Sequence, residues 1–533
     1  MKQIVLSLSL IAVTAGSAAA ATATASLADV AERGNSAAVL ALLKKGADVN
    51  RPQADGATAL HWAAHFNDVA LAKRLLTAGA KPNVANDYGV TPLFLAALNG
   101  STEMVDTLLT AGANANAARP TGETVLMTAV RTGNPAPVAR LLKGGANPNA
   151  VQVSKGQSAL HWAVADGHVE VARTLIEGGA DLKLRSAGGY TPLLGAARQG
   201  SIEMAKMLLE KGDDLEAVAR DGATPLLVAT VRGNTALATY LIERGAKVDG
   251  NLKDAGYSPL MWAVGTFEQI PITYKGLDAE GEWNTFTGIP NRQEQLTLVN
   301  LLIAKGADVN AKMTRGLPQL APHNGNGARP PHSGSTPYLI AAQSADAEMM
   351  KLLKEKGANP LARANDGQTA LMAAAEGVVE NTVLLTEEKR LAAAQVALDH
   401  GVPIEAEDRL GYRAMHAAAR AGYHQMITFL LSKGADLNPV SKPQKGSGLA
   451  RFYQEGQSPL GYVEGTLDAI FQERPDTADF LRKLGAKSIG RFYPHDYETN
   501  NPEAADKKFK ELQEQQKQQA QPAQQPQLPG QEQ

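Results

Sequence analysis

The residues that could bind a metal are two histidines in a segment rich in glycine and proline. His323 and His332 have no carboxylate or thiol between them. Zinc sites normally take three or four protein ligands, so two histidines alone are a weak signal. The pattern favours a solvated loop, and we predict no metal site.

No pattern of residues predicts catalysis. A nucleophile elbow, a phosphate-binding loop, a zinc-binding helix motif and a dinucleotide fingerprint are all absent from the contexts that they require. The 533 residues contain no cysteine, which excludes disulfides, thiolate metal sites and cysteine nucleophiles. The carboxylates are dispersed, without a spacing that would pair them. We therefore predict that the chain is not an enzyme and takes no cofactor.

The charge balance argues against nucleic acid as a partner. Lysine and arginine total 52 and aspartate and glutamate 54, which leaves a net charge of −2. A protein that binds nucleic acid needs a basic face to neutralise phosphates.

The elements that would position any functional group repeat along the chain. The segment Gly-Ala-Thr-Ala-Leu-His-Trp-Ala-Ala begins at Gly56, and similar openings follow every 33 or 34 residues as far as Gly256. Further openings begin at the glycines of positions 334, 367, 411 and 456. A fixed period of this length indicates stacked supersecondary units.

The residue types in one unit predict two helices. Thr91 can cap a helix, and Pro92 follows at the first helical position, where no amide hydrogen is needed. Thr191, Thr224 and Ser258 precede a proline in the same way. A second apolar segment ends at Gly112, the expected left-handed residue after a helix.

The unit resembles the ankyrin repeat, which has Thr-Pro-Leu-His early and Leu-Leu-x-x-Gly-Ala late. The resemblance implies an all-α fold: an ankyrin-repeat solenoid of about twelve helix-turn-helix repeats with hairpin-like loops. In that family the histidine braces adjacent loops, so a structural role is implied for His61, His161 and His416. Three tryptophans share one phase of the repeat: Trp62, Trp162 and Trp262. We interpret them as core residues, and the alternative is that they line an inner surface.

The repeat also divides the chain. The predicted segments are a signal peptide (1–20), an N-terminal capping repeat (21–50), regular repeats (51–255), repeats with insertions and a C-terminal cap (256–487), and a C-terminal extension with a Gln-rich disordered tail (488–533). The insertions are predicted at 266–292, 313–333, 378–390 and 440–452.

The N-terminal residues predict export. Lys2 supplies a positive start, residues 4–13 an apolar segment, and the three alanines of 18–20 a cleavage site. The alternative is a membrane anchor, but the strongly apolar part is too short to span a bilayer. We expect a periplasmic or secreted protein with no stable membrane insertion after cleavage.

The resemblance also implies where a partner would bind, namely at the loop tips and the outer side of each first helix. Aromatic and arginine residues carry most interface energy, and those at the corresponding phases are His65, Phe66, Arg131, Tyr190, Arg198, Arg232, Tyr257, Tyr412 and Arg420. Trp283, in the first insertion, is a further candidate anchor, although it could instead pack on the repeats.

The function that these patterns favour is a non-catalytic, monomeric scaffold outside the cytoplasm that binds a protein partner through a concave ankyrin groove. One alternative is an enzyme or accessory protein whose insertions at 266–292 and 313–333 build a metal or substrate pocket. Another is a secreted effector that acts on host proteins. The sequence does not identify the partner.

Overall fold

The chain forms short antiparallel helix pairs joined by loops. The computed structural model describes residues 26–250, 256–265, 289, 291–314, 333–376, 386–442, 456–465 and 475–490, with five two-residue strands. Within these residues there are 24 helices, and eleven consecutive pairs of them are in contact: Leu27–Glu32 and Ser36–Lys44, Ala59–His65 and Val69–Thr77, Pro92–Leu98 and Thr102–Thr110, Val125–Val130 and Pro135–Lys143, Ala159–Ala165 and Val169–Glu177, Pro225–Val231 and Thr235–Glu243, Pro259–Val264 and Arg292–Ala304, Pro337–Gln343 and Ala347–Glu355, Ala370–Ala375 and Glu387–Asp399, Ala414–Ala421 and His424–Ser432, and Pro459–Gly465 and Pro475–Lys483. The remaining two helices are Pro192–Gln199 and Ile202–Glu210.

The five strands form two small antiparallel sheets. Ile272–Thr273 pairs with Asn284–Thr285, and Tyr453–Gln454 lies between Gln444–Lys445 and Phe492–Tyr493. Four of these strands fall in or beside the insertions predicted at 266–292 and 440–452, and Phe492–Tyr493 falls in the predicted C-terminal extension.

Two compact units divide the chain, and we describe each by itself. The first comprises the residues up to Ala187 together with Glu203–Asp213, and the second comprises Gly188–Ile202 and the residues from Asp214 onward. In each unit, first helices pack against the first helices of neighbouring repeats, and second helices pack against second helices.

The predicted helix signals have the expected geometry, with one exception. The hydroxyls of Thr191, Thr224 and Ser258 accept hydrogen bonds from the backbone amides three residues later, at 3.5, 3.3 and 3.4 Å. Thr91 makes no such side-chain bond, although its backbone has the extended conformation of a cap. Gly112 has φ 86°, the left-handed conformation that lets the second helix end there.

The core of each repeat is made of leucine and alanine. The first-helix leucines Leu60, Leu93 and Leu193 are at most 1% exposed, and the second-helix leucines Leu75 and Leu108 are 0% exposed. Small alanines beside them let neighbouring helices approach closely. Because a single pair of helices buries only one face, each repeat depends on its neighbours for a closed core.

At five junctions between consecutive repeats, an asparagine side-chain amide connects one repeat to the next. The Asn116 Nδ2 donates to the Gly145 carbonyl at 2.8 Å, and its Oδ1 accepts from the Asn147 amide at 2.7 Å. The asparagines at 50, 83, 149 and 310 make the same pair of hydrogen bonds to the following repeat. This bridge satisfies the carbonyl of the glycine that ends a second helix, where no helical partner exists.

One of the predicted insertions is partly helical. The extra residues predicted at 378–390 are not all loop, because residues 387–390 form the first turn of Glu387–Asp399. That helix has 13 residues, against 9 in Val69–Thr77. Several predictions lie outside the described residues: the signal peptide, Trp283, His323, His332 and the tail beyond residue 493.

Replacing the bridging side chain should loosen the first unit locally. We expect Asn116→Ala to cost about 1–2 kcal/mol, since it removes two partly exposed hydrogen bonds, each with a net contribution of about 0.5–1.5 kcal/mol. Asn116→Asp keeps the acceptor and should cost less. Hydrogen exchange should accelerate mainly between residues 113 and 150. Lys183→Ala, at the same repeat phase and exposed, serves as the control. An unchanged exchange pattern in Asn116→Ala would contradict the bridge.

Candidate protein-binding surfaces

The predicted contact residues of the first unit lie at the surface. His65 and Arg131 are exposed, and the Phe66 side chain is 50% exposed. His65 is the last residue of a first helix, and Phe66 and Arg131 each cap the end of one, where the chain turns toward the second helix.

Two of the predicted contact residues are buried, and the prediction that they lie at the surface is wrong. Tyr190 is 7% exposed and Tyr257 is 3% exposed. Each precedes a helix-capping residue, a position whose side chain often packs against the fourth residue of the helix. Tyr257 does so, with its ring 5.5 Å from that of Trp262.

The other predicted residues of the second unit are half-buried. Arg198 lies in the last turn of Pro192–Gln199, and Arg232 caps the end of Pro225–Val231. Tyr412 and Arg420 line a pocket that is described below. Trp283 lies outside the described residues.

Three side chains form an aromatic cluster in the first unit, in which His65 and Phe66 are exposed and Trp62 is half-buried. The Trp62 ring stacks on Phe66 at a centroid distance of 6.1 Å and meets His65 edge-on at 5.6 Å. His65 and Phe66 are themselves 4.9 Å apart. The Trp62 Nε1 donates to the Gln53 Oε1 at 2.6 Å, which fixes the orientation of the indole. Contacts within the chain therefore hold these three rings in this arrangement.

The next repeat extends this surface with apolar residues that were not predicted. Leu98 is 54% exposed and Tyr88 is 67% exposed. The Asn99 Nδ2 donates to the carbonyls of Ala64 and His65 at 3.0 and 2.8 Å, which holds the ends of two first helices together. Leu98 occupies the same repeat phase as His65, so its exposure could have been inferred by alignment of the repeats.

Arg131 continues the same side of the first unit two repeats later. Its guanidinium lies over the Trp162 ring at 5.4 Å from the centroid. Such a cation–π contact contributes about 0.5–1 kcal/mol at an exposed site and so favours this position of the guanidinium group. We name Trp62, His65, Phe66, Leu98 and Arg131 the aromatic surface.

The histidines of the repeat opening are structural, as predicted. The Nδ1 of His61 accepts from the Thr58 amide at 3.0 Å, so its Nε2 carries the proton and donates to the Val90 carbonyl at 3.0 Å. His416 makes the equivalent contact to the Gln457 carbonyl at 2.9 Å. Each imidazole therefore ties its own loop to the loop of the following repeat.

A polar pocket lies in the second unit, with a volume of about 150 Å³. Its acidic residues are Asp366, Glu376 and Asp408, and its basic residues are Arg413 and Arg420. Arg420 forms an ion pair with Glu376. Tyrosines at 412 and 462 supply aromatic walls, with their rings 5.7 Å apart and nearly perpendicular.

The surroundings of this pocket shift the pKa values of two groups, Asp408 and His416. Burial raises the pKa of the Asp408 carboxyl, and the nearby negative charge of Asp366 raises it further. Burial lowers the pKa of His416 to about 4, and the positive charge of Arg413 acts in the same direction. His416 is therefore neutral at pH 7, consistent with its role as a loop brace.

Within the described parts of the chain, no three His, Asp or Glu side chains are grouped so that they could hold a metal ion. In the same residues, no helix is long and apolar enough to cross a membrane. His323 and His332 lie outside this description.

These features define an all-α repeat protein, and comparison with known proteins identifies its family. A family model described as "Ankyrin repeats (3 copies)" matches residues 27–119, 126–219, 193–272 and 291–390, and a model of the single ankyrin repeat matches residues 410–442. The chain belongs to the ankyrin repeat family, and the predicted ankyrin-repeat solenoid is confirmed. The family is generally non-enzymatic and supplies scaffolds for protein–protein interaction.

One similar solved structure is the crystal structure of the human ASB11 ankyrin repeat domain. The sequences are 29% identical, and the match covers 41% of this chain and 96% of that chain with a TM-score of 0.37.

Acid should weaken the packing around His416. Because its folded pKa of about 4 lies below the unfolded value, its stabilising contribution is complete above about pH 6.5 and is lost as the pH falls toward 4. The loss should reach about 2–3 kcal/mol. Hydrogen exchange in Ala414–Ala421, corrected for intrinsic rates, should show this loss in the wild type and a smaller one in His416→Gln. The exposed-site variant His65→Gln should behave as the wild type. An imidazole that titrates near pH 6.5 would contradict this prediction.

Proposed function

We propose that this chain is an exported, non-catalytic scaffold that holds a protein partner on the aromatic surface of its first unit. The observation that carries the proposal is the exposure of Phe66 and Leu98 beside an ordered aromatic cluster. Single exposed apolar side chains are common, but contiguous ones on one side of adjacent repeats are typical of interaction sites.

The energetics favour burial of this surface by a partner. Complete burial of a Phe or Leu side chain contributes about 1.5–3 kcal/mol. Phe66 and Leu98 are each about half exposed, so a partner that covers both would gain about 1 kcal/mol or more from each. Arg131 lies further along the same unit. Its guanidinium group can donate hydrogen bonds to the partner while it stays over the Trp162 ring.

Pre-organisation adds to the affinity. The indole of Trp62 is held by Gln53, and the helix ends that carry Phe66 and Leu98 are held by Asn99. Side chains that are already ordered lose less conformational entropy on binding. Aromatic and arginine side chains with this support are the usual hot spots of interfaces.

The location outside the cytoplasm is supported by the N-terminal sequence. A positive Lys2, an apolar segment at 4–13 and the alanines at 18–20 match the three parts of a cleavable signal. The proposed site of action is therefore the periplasm or the cell exterior.

Removal of the two exposed apolar side chains should weaken partner capture. We expect the double variant Phe66→Ala/Leu98→Ala to retain at most a tenth of wild-type affinity for the partner captured from a native extract, since each hot spot contributes about 2 kcal/mol. The melting temperature should change little because both side chains lie outside the core. Leu361→Ala removes a side chain that is 55% exposed in the second unit and should leave capture unchanged.

Two results would contradict this placement. Capture that is unchanged in Phe66→Ala/Leu98→Ala would mean that the partner binds elsewhere. A large drop in melting temperature would mean that these residues support the fold. Tyr190→Ala is unsuitable for this test because Tyr190 is buried.

Export should leave a processed N-terminus. We expect N-terminal sequencing of the exported protein to begin near Ala21, after the small residues that signal peptidase recognises. An intact N-terminus that fractionates with membranes would contradict cleavage. Replacement of Ala18 and Ala20 by a bulky residue should block processing, whereas a change at Thr22 should not.

A further inference from the structure

The pocket of the second unit contains positive groups that are already engaged. Arg420 pairs with Glu376, whose other oxygen accepts from the Gln368 Nε2 at 2.6 Å. Arg413 is held by two carboxylates outside the pocket lining, with its Nη1 2.5 Å from Glu405 and its Nη2 2.7 Å from Glu407. Both guanidinium groups are therefore neutralised by the protein itself.

Two further carboxylates come from the loop tips of consecutive repeats and line the same pocket. The Asp366 Oδ1 accepts from the Gln368 amide at 3.0 Å, and the Asp408 Oδ1 accepts from the amides of Leu410 and Tyr412, both at 2.8 Å. These hydrogen bonds fix the carboxylates in place. Burial and the negative charge of Asp366 raise the pKa of the Asp408 carboxyl, whereas the positive charge of Lys442 lowers it. A further cation between the two carboxylates would relieve their mutual repulsion.

The aromatic walls favour the same ligand class. The rings of Tyr412 and Tyr462 line the pocket and meet edge to face. Ring faces attract ammonium and guanidinium groups, more strongly where water is partly excluded. A cavity of about 150 Å³ is large enough for a group the size of benzene, and the end of a long cationic side chain is of that size.

We propose that this pocket binds the arginine or lysine side chain of a protein partner. That this side chain belongs to a protein partner rests on the proposed scaffold function. The preference of the pocket for a cation rests on the pocket residues alone. The carboxylates of Asp366 and Asp408 would pair with the cationic group, and Tyr412 and Tyr462 would enclose its methylenes.

An anionic ligand fits the pocket less well. It would have to displace Glu376 from Arg420, or Glu405 and Glu407 from Arg413, and it would stand beside two fixed carboxylates. Like charges at close range oppose binding unless one of them takes a proton.

The methyl group of Met372 offers a direct readout, since this residue lines the pocket and is 4% exposed. The chain has 12 methionines, so methyl-labelled methionine gives a small set of NMR signals, and Met372→Leu identifies the one required. We expect N-acetyl-arginine amide and N-acetyl-lysine amide to shift this signal saturably. N-acetyl-citrulline amide, a neutral analogue of arginine, should bind at least tenfold more weakly.

Charge-removing variants test the assigned residues. Asp366→Asn/Asp408→Asn keeps the loop oxygens that accept backbone hydrogen bonds and removes both charges, so binding of the arginine probe should weaken at least tenfold. Asp55→Asn is the matched control, because the Asp55 Oδ1 accepts from the Ala57 amide at the same repeat phase in the first unit. It should leave the probe affinity unchanged.

Three outcomes would overturn the proposal. These are an unshifted Met372 signal with both cationic probes, equal affinity for the arginine and citrulline probes, and preferential binding of N-acetyl-glutamate amide. The first two comparisons use the wild-type chain, so they hold even if the double variant does not fold. Since no partner protein is present, these results are independent of partner capture by the aromatic surface.

Discussion

The structure depends on the coupling of each helix pair to the next. One pair of short helices cannot close a core, so its leucines are buried only when a neighbouring repeat covers them. Side-chain amides such as that of Asn116 complete this coupling at the loops, with one bond to a carbonyl and one from an amide of the following repeat. His61 and His416 add a second connection between consecutive loops. Within each unit, core packing and loop bridges therefore recur at fixed phases.

Because the core occupies fixed phases, the remaining positions of each repeat can vary without loss of the fold. The first unit uses them for exposed apolar and aromatic groups around Phe66 and Leu98. The second unit uses the corresponding phases for charged groups: Glu376 and Arg420 stand where the first unit has His65 and Arg131. The same scaffold thus presents two surfaces of different chemistry. We interpret this contrast as a division between apolar recognition in one unit and recognition of a charged group in the other.

The sequence predicted the fold well, because the repeat period, the capping residues and the prolines act locally. It also predicted the structural role of the repeat histidines and the exposure of Phe66. It failed where burial depends on a particular neighbour. Tyr257 was predicted at the surface, yet it is buried, and its ring packs against that of Trp262. The pairing of Arg420 with Glu376 joins residues whose separation follows no fixed period, because an insertion intervenes, and only the three-dimensional structure brings them together.

A protein partner that covers the aromatic surface can be detected by site-specific photo-crosslinking in intact cells. A photoreactive phenylalanine analogue would replace Phe66 in one sample and Arg74, an exposed residue of the second helix Val69–Thr77, in another. The account predicts a discrete crosslinked protein from position 66 and none from position 74. Crosslinks that are equal at both positions, or that form only at position 74, would contradict it.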